Sequence, residues 1–302
     1  MKFLGDMQPT HDLTYSDVFM VPSRSSVTSR LDVDLATPDG IGTTIPLVVA
    51  NMTAISGRRM AETVARRGGM AILPQDITTE AVHDMIAEVK RAHPVFETPV
   101  TVTCGDSVTT VMSLLGKRAH GTAVVVEDGR PVGVLTESDC RGVDRFARVA
   151  DVMTTDIVTV PHDADLRGAF DTLSERHLNF APVVDGDQLI GVLTRKGVLR
   201  SAIYRPALDP DGRLMVGGAI GINGDVQGKA AALLETGAGV LVVDTAHGPQ
   251  DKMIEILPLV AAERDNDEAR TGRRIPIAAG NVVSAEGASD LTEAGADIIK
   301  VG

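Results

Sequence analysis

The chain has 302 residues, 43% of them hydrophobic but only 3% aromatic, and carries a formal net charge of -12. That length holds one large core, or a core plus a smaller domain, built here from Val, Ile, Leu, Ala and Met. The acidic balance excludes a general nucleic-acid binder, which needs a basic footprint. Two cysteines, Cys104 and Cys140, are too few for a disulfide framework and lack metal-ligand spacing. No run approaches the ~18 apolar residues of a membrane span, and the N-terminus has no signal-like apolar region, so the expectation is a cytoplasmic protein without a membrane partner.

Residues 1 to 45 read as irregular, with Leu13 to Pro22 as the one dense apolar patch. Pro46 to Ala50 predicts a continuously buried strand, with Asn51-Met52-Thr53 as its polar tip. A helix is expected from an N-cap at Ser56, with Met60 and Val64 on one face and Gly68 closing it. Met70 to Leu73 is the second strand, and its tip is Pro74-Gln75-Asp76. Val82, Met85, Ile86 and Val89 give the i, i+3, i+4, i+7 spacing of a second amphipathic helix.

Near Pro94 the pattern changes to a repeat with an offset of 58 residues. Val100-Thr101-Val102 recurs as Val158-Thr159-Val160, and Val132-Gly133-Val134-Leu135-Thr136 recurs as Ile190-Gly191-Val192-Leu193-Thr194. Each copy predicts strand, helix, strand, strand, helix. Such a repeat between β/α units predicts a separate domain, residues 95–204, dividing residues 1–94 from residues 205–302.

After the insertion, Leu214 to Ile220 predicts a third strand, where Gly217, Gly218 and Gly221 would permit close backbone approach. A helix from Asp225 to Glu235 ends at Gly237. Three more apolar runs follow: Val240 to Val243 leads into Asp244-Thr245-Ala246-His247-Gly248, Ile275 to Ala279 into Gly280-Asn281, and Ile298 to Val301 into Gly302. Strand, polar tip, helix, strand is the grammar of a parallel β/α barrel, whose chemistry sits at the strand C-terminal ends. Six strands are read where a closed barrel has eight, so about two β/α units are expected outside this sequence. Asp244 reads either as a site carboxylate or as a helix N-cap. His247 reads as a loop residue, and no metal site is expected.

Leu13-Thr14-x-x-Asp17-Val18, Asn51-Met52, Val243 to Gly248, Ala279 to Val283 and Lys300-Val301-Gly302 together resemble the IMP dehydrogenase/GMP reductase family over the whole chain. The resemblance implies a (β/α)8 (TIM) barrel, six of its strands present, with an inserted tandem CBS (Bateman) domain where the repeat lies. It implies oxidoreductase chemistry in purine salvage, in which a cysteine attacks C2 of a purine nucleotide. That cysteine is expected just after Gly302, so no catalytic residue is assigned within this chain. By the same resemblance Asp244, Thr245, Ala246 and Asn281 bind cofactor, while Ala50, Asn51, Met52, Lys300 and Gly302 lie against the nucleotide substrate. Thr136 and Asp139, in Thr136-Glu137-Ser138-Asp139, match a CBS site for ATP or GTP, whereas Gly197 replaces the corresponding Asp in the second copy. One competent regulatory site and one weak or structural one are therefore expected.

The CBS insertion and His247 resemble IMP dehydrogenase, which converts IMP to XMP with NAD. Asn51 before Met52 is the reductase form, and Gln75-Asp76 stands where both groups have a His-Lys pair. The set resembles a CBS-containing GMP reductase branch of high-GC bacteria, which implies GMP and NADPH as substrates and IMP and ammonia as products. A catalytically inactive nucleotide-sensing protein is the reading from another class. The family resemblance also implies a homotetramer or homo-octamer.

Overall fold

The computed structural model describes residues 9–11, 13–117 and 119–302. The chain divides into two units, Met1–Leu35 and Ala36–Gly302. In the first, a single-turn helix at Tyr15–Asp17 is fixed by Asp17, whose carboxylate accepts from the Thr14 N–H at 2.7 Å and hydroxyl at 2.8 Å. Phe19, Met20 and Val21, from the apolar patch, lie exposed.

The second unit begins its sheet with β1 (Val48–Val49), α1 (Arg58–Ala65), β2 (Met70–Leu73) and α2 (Thr79–Arg91). Then come β3 (Val100–Val102), α3 (Val108–Leu115), β4 (Thr122–Glu127), β5 (Arg130–Thr136), β6 (Val160–Pro161), α4 (Leu166–Glu175), β7 (Phe180–Asp185), β8 (Gln188–Thr194) and α5 (Arg195–Ile203). The chain returns through β9 (Gly217–Gly221), α6 (Val226–Thr236), β10 (Leu241–Asp244), α7 (Asp251–Thr271), β11 (Ile277–Val282), α8 (Ala285–Glu293) and β12 (Ile298–Val301).

Six strands form one parallel sheet in the order β1-β2-β9-β10-β11-β12. Sequential order with parallel strands is the half-barrel arrangement, because a doubly wound sheet would reverse its order partway. Alternate residues serve two cores. Ala71, Leu73, Ile220, Leu241, Val243, Ile277 and Ala279 pack with the helices, while Met70, Ile72, Ala219, Val242 and Ala278 form a second cluster with Met215 and Val240. Burial on both faces is why these strands read as continuous apolar runs. Each large side chain so buried contributes about 1.5–3 kcal/mol.

Several local expectations change. β1 is shorter than Pro46 to Ala50 and partly exposed, with Val48 at 54%, because an edge strand has a neighbour on one side only. Ser56 does not cap α1. Its hydroxyl donates to the Ile72 carbonyl, and Gly57 is the N-cap. Met60 is 37% exposed while Ala61, Val64 and Ala65 carry the buried face. Gly217 and Gly218 do allow a close approach, and it is by neighbouring side chains. A Cβ at 217 would lie 2.3 Å from Val240 Cγ1, and one at 218 would lie 2.5 Å from Leu233 Cδ2, so both glycines let the sheet and α6 close. α6 matches its prediction: Asp225 accepts from the Gly228 N–H at 2.9 Å, and Gly237 ends the helix at φ 94°.

Residues between β3 and α5 form two three-stranded sheets, β3-β4-β5 and β6-β7-β8. Their registers repeat at the sequence offset: Val102 pairs with Val125, and Val160 with Val183. The bulge between Val125 and Val126 recurs between Val183 and Val184. Lead-in segments are exchanged, Glu97 bridging to Val192 of the second sheet and Thr154 to Val134 of the first. The first copy lacks its expected final helix. Its segment instead returns to α3, where the Val108 and Thr109 N–H groups donate to the Ala147 and Arg145 carbonyls at 3.0 Å. Among the described residues, no helix is long and apolar enough to cross a membrane.

Candidate active site at the strand tips

Asp244 is the last residue of β10, half-buried, and its carboxylate joins three strands. Asn51 Nδ2, after β1, donates to Asp244 Oδ2 at 2.8 Å. Lys300 Nζ, from β12, forms an ion pair with Oδ1. The donors come from opposite ends of the sheet, so the set exists only once the strands have assembled. Asp244 is not an N-cap, since α7 starts at Asp251 behind Gln250.

The loop after β10 is tied to β11 by backbone. The Thr245 N–H donates to the Gly280 carbonyl at 3.2 Å, the Asn281 N–H to the Thr245 carbonyl at 3.1 Å, and the Gly248 N–H to the Asn281 carbonyl at 2.8 Å. Two glycines make this approach possible. A Cβ at Gly248 would lie 2.4 Å from the Asn281 carbonyl oxygen, and one at Gly280 would lie 2.3 Å from that of Lys300. Gln250 Nε2 donates to Thr245 Oγ1 and to the His247 carbonyl, both at 2.9 Å, and His247 is exposed. The Asn281 carboxamide makes no hydrogen bond among the described residues.

The structure therefore brings Asn51, Asp244 and Lys300 together, with Thr245 and Asn281 on the adjoining tips. Ala50 and Met52 flank Asn51 with exposed side chains, Ala246 is exposed, and the Gly302 N–H donates to the Val282 carbonyl at 3.1 Å. Thr136 and Asp139 lie on the repeat, where Asp139 Oδ2 accepts from the Thr136 N–H at 2.8 Å and hydroxyl at 2.7 Å.

A second polar group at the tips joins Thr53, Gln75 and Asp76, all read as tip residues, with Lys229, which was not. Thr53 Oγ1 contacts both Asp76 oxygens at 2.7 and 2.6 Å, and Lys229 from α6 donates to the Gln75 carbonyl. Burial pushes the Lys229 ammonium below its ordinary pKa, with Asp76 opposing. Lys229 lies 154 positions from Gln75, and no local spacing marks it as a tip residue.

Residues 12–302 match the IMP dehydrogenase / GMP reductase domain. The chain belongs to this family. Relatives of this IMP dehydrogenase / GMP reductase chain include the GMP reductase of Mycobacterium tuberculosis strain H37Rv, 54% identical over 100% of this chain and 62% of the relative. The inosine-5'-monophosphate dehydrogenase of Nitrosopumilus maritimus is 34% identical over 98% of this chain and 62% of its own length. Among solved structures, GMP reductase from Trypanosoma brucei in complex with guanosine 5'-triphosphate has a TM-score of 0.62 at 32% identity. That match covers 96% of this chain and 70% of the other. The chain thus spans about three fifths of the length of these curated relatives.

Proposed function

We propose that this chain carries six strand tips of a GMP reductase, which converts GMP and NADPH to IMP, ammonia and NADP within a (β/α)8 barrel. The observation that carries the choice is the 54% identity with a GMP reductase over the whole chain, against 34% with an IMP dehydrogenase. The geometry supports it: Asp244 holds the Lys300 ammonium and the Asn51 amide in one hydrogen-bonded set. A purine nucleotide entering at the tips, along Ala50, Asn51, Met52, Lys300 and Gly302, would meet preset donors instead of mobile side chains.

NADPH, when bound, supplies the hydride. Thr245, Ala246 and Asn281 would hold it beside Asp244, and the unpaired Asn281 carboxamide is a donor–acceptor group suited to a nicotinamide amide. Among the described residues each Asp244 oxygen has one partner, so a lone-pair direction on each remains for a ligand hydroxyl.

Residues 95–204 are proposed as a tandem CBS domain taking ATP or GTP at Thr136 and Asp139, between barrel parts 1–94 and 205–302. The repeated register supports this, and among the described residues the hydrogen bonds of Asp139 use Oδ2, which leaves Oδ1 for ribose hydroxyls. The assembly is proposed as a cytoplasmic homotetramer or homo-octamer. The test is spectrophotometric, on the enzyme carrying this chain. GMP-dependent NADPH oxidation with equimolar ammonia is expected, and IMP-dependent NADH formation without it would replace the reading by a dehydrogenase.

A further inference from the structure

Tip two, Pro74 to Ile77, continues β2 past Leu73, its last residue paired to β9. Among the described residues, hydrogen bonds tie it to the other tips through two residues only. Lys229 Nζ donates to the Gln75 carbonyl at 2.5 Å, and the Thr53 hydroxyl of tip one donates to the Asp76 carboxylate at 2.6 Å. The Gln75 carboxamide is no third tether. Its Oε1 is buried without a partner, 3.1 Å from where a Cβ at Gly221 would lie. Gly221 pairs in register with Asp244, so tip two reaches the row that holds the candidate active site.

Lys229 stands half-buried in the first turn of α6. A cation there faces the positive end of the helix macrodipole, and burial disfavours its charge further while Asp76 opposes. The charge therefore does not serve α6. What it holds lies 154 positions away, on tip two, and the carboxylate that steadies it is the one Thr53 grips. Tip one leaves a two-residue edge strand and takes little support from the sheet. Thr53 is its one hydrogen-bonding side chain between Asn51 and Ser56, and Asn51 is the residue whose amide donates to Asp244 at 2.8 Å.

We propose that Lys229 is a positioning residue for the candidate active site: by holding the Gln75 carbonyl and facing Asp76 it seats tip two, and tip two, through Thr53, keeps the Asn51 amide aimed at Asp244. Lys229 itself touches no reacting atom. The proposal rests on the reading of the strand tips as a purine nucleotide site. A donor that drifts from its preset place loses transition-state stabilisation more than ground-state binding, so the effect falls on kcat before KM.

The test is steady-state kinetics of the enzyme carrying this chain, on GMP with NADPH or, if the parent oxidises IMP with NAD instead, on that reaction. Failure of the reductase reading then changes the substrate and leaves this comparison standing. Lys229→Met, which keeps the length and removes the charge, is expected to lower kcat about tenfold, with KM for the nucleotide within about threefold of the parent. Lys229→Arg should recover part of that loss. Thr53→Val cuts the same chain of contacts at its other end and should lower kcat likewise, and the double variant should lose no more than the worse single one. Losses that multiply in the double variant would assign the two residues independent roles and overturn the proposal. Parent-like kcat in Lys229→Met, or a loss that Lys229→Arg does not relieve, would overturn it as well.

Discussion

Asp244 acts as a pivot because both of its oxygens are engaged, one by a neutral amide and one by an ammonium. The Lys300 side chain is 37% exposed, so its ion pair adds little to stability. Its value lies in placing charge. Lys300→Met is expected to lower kcat/KM for GMP roughly 100-fold, about 2.7 kcal/mol of transition-state stabilisation. Lys300→Arg should fall between, and the melting midpoint of both should stay close to that of the parent. A large drop in melting midpoint with kcat/KM preserved would mark Lys300 as structural. Asp244 and Asn51 were legible in the sequence as tip residues, since each follows an apolar run, whereas Lys300 lies inside the run Ile298 to Val301 and was singled out only by the family resemblance. Their contact was not, because the partners lie 193 and 56 positions from Asp244 and only the closing of the sheet brings them together. Lys229 escaped notice for the same reason.

At the scale of elements, two junctions are open to test. Phe96 precedes the first repeat copy, yet it packs in the core of the second and is 4% exposed. Phe96→Ala should therefore cost about 3 kcal/mol and expose the second copy's amides to hydrogen exchange before those of the six-stranded sheet. Uniform loss of protection across both would contradict that assignment. Asp297 joins α7, β11 and β12: its Oδ2 accepts from the Ile277 N–H and from Arg264 Nη1, and its Oδ1 from Arg274 Nη2, each at 2.8 Å. Burial raises its pKa, but these partners outweigh it and hold the carboxyl below the ordinary carboxylate range. A depressed folded pKa means stability that is present above the unfolded value and is lost as pH falls through the folded one. Asp297→Asn should thus lower the urea midpoint at pH 7, and the gap from the parent should shrink at pH 3. A gap that widens on acidification would contradict the sign. α6 was readable because its cap, Asp225, and its closing Gly237 are local signals. The missing helix of the first copy was not, because hydrogen bonds back to α3 decide it and the repeat implies the opposite.

For the whole molecule, the parallel sheet was legible because strands covered on both faces leave unbroken apolar runs, which solvent-facing strands would interrupt. The glycines of β9 permit the close approach read from the sequence, but that the approaching groups are the side chains of Val240 and Leu233 is visible only once the sheet and α6 are assembled. The resulting scaffold sets six tips side by side, and Asp244 links the first of them to the last. Under the proposed function, this link serves reduction of GMP. Its most direct test is kcat/KM for GMP with NADPH in Asp244→Asn, a change that keeps shape and removes charge. A loss of at least 100-fold, about 2.7 kcal/mol, is expected, with the fold intact by circular dichroism. Parent-like turnover of GMP by the folded variant would contradict it.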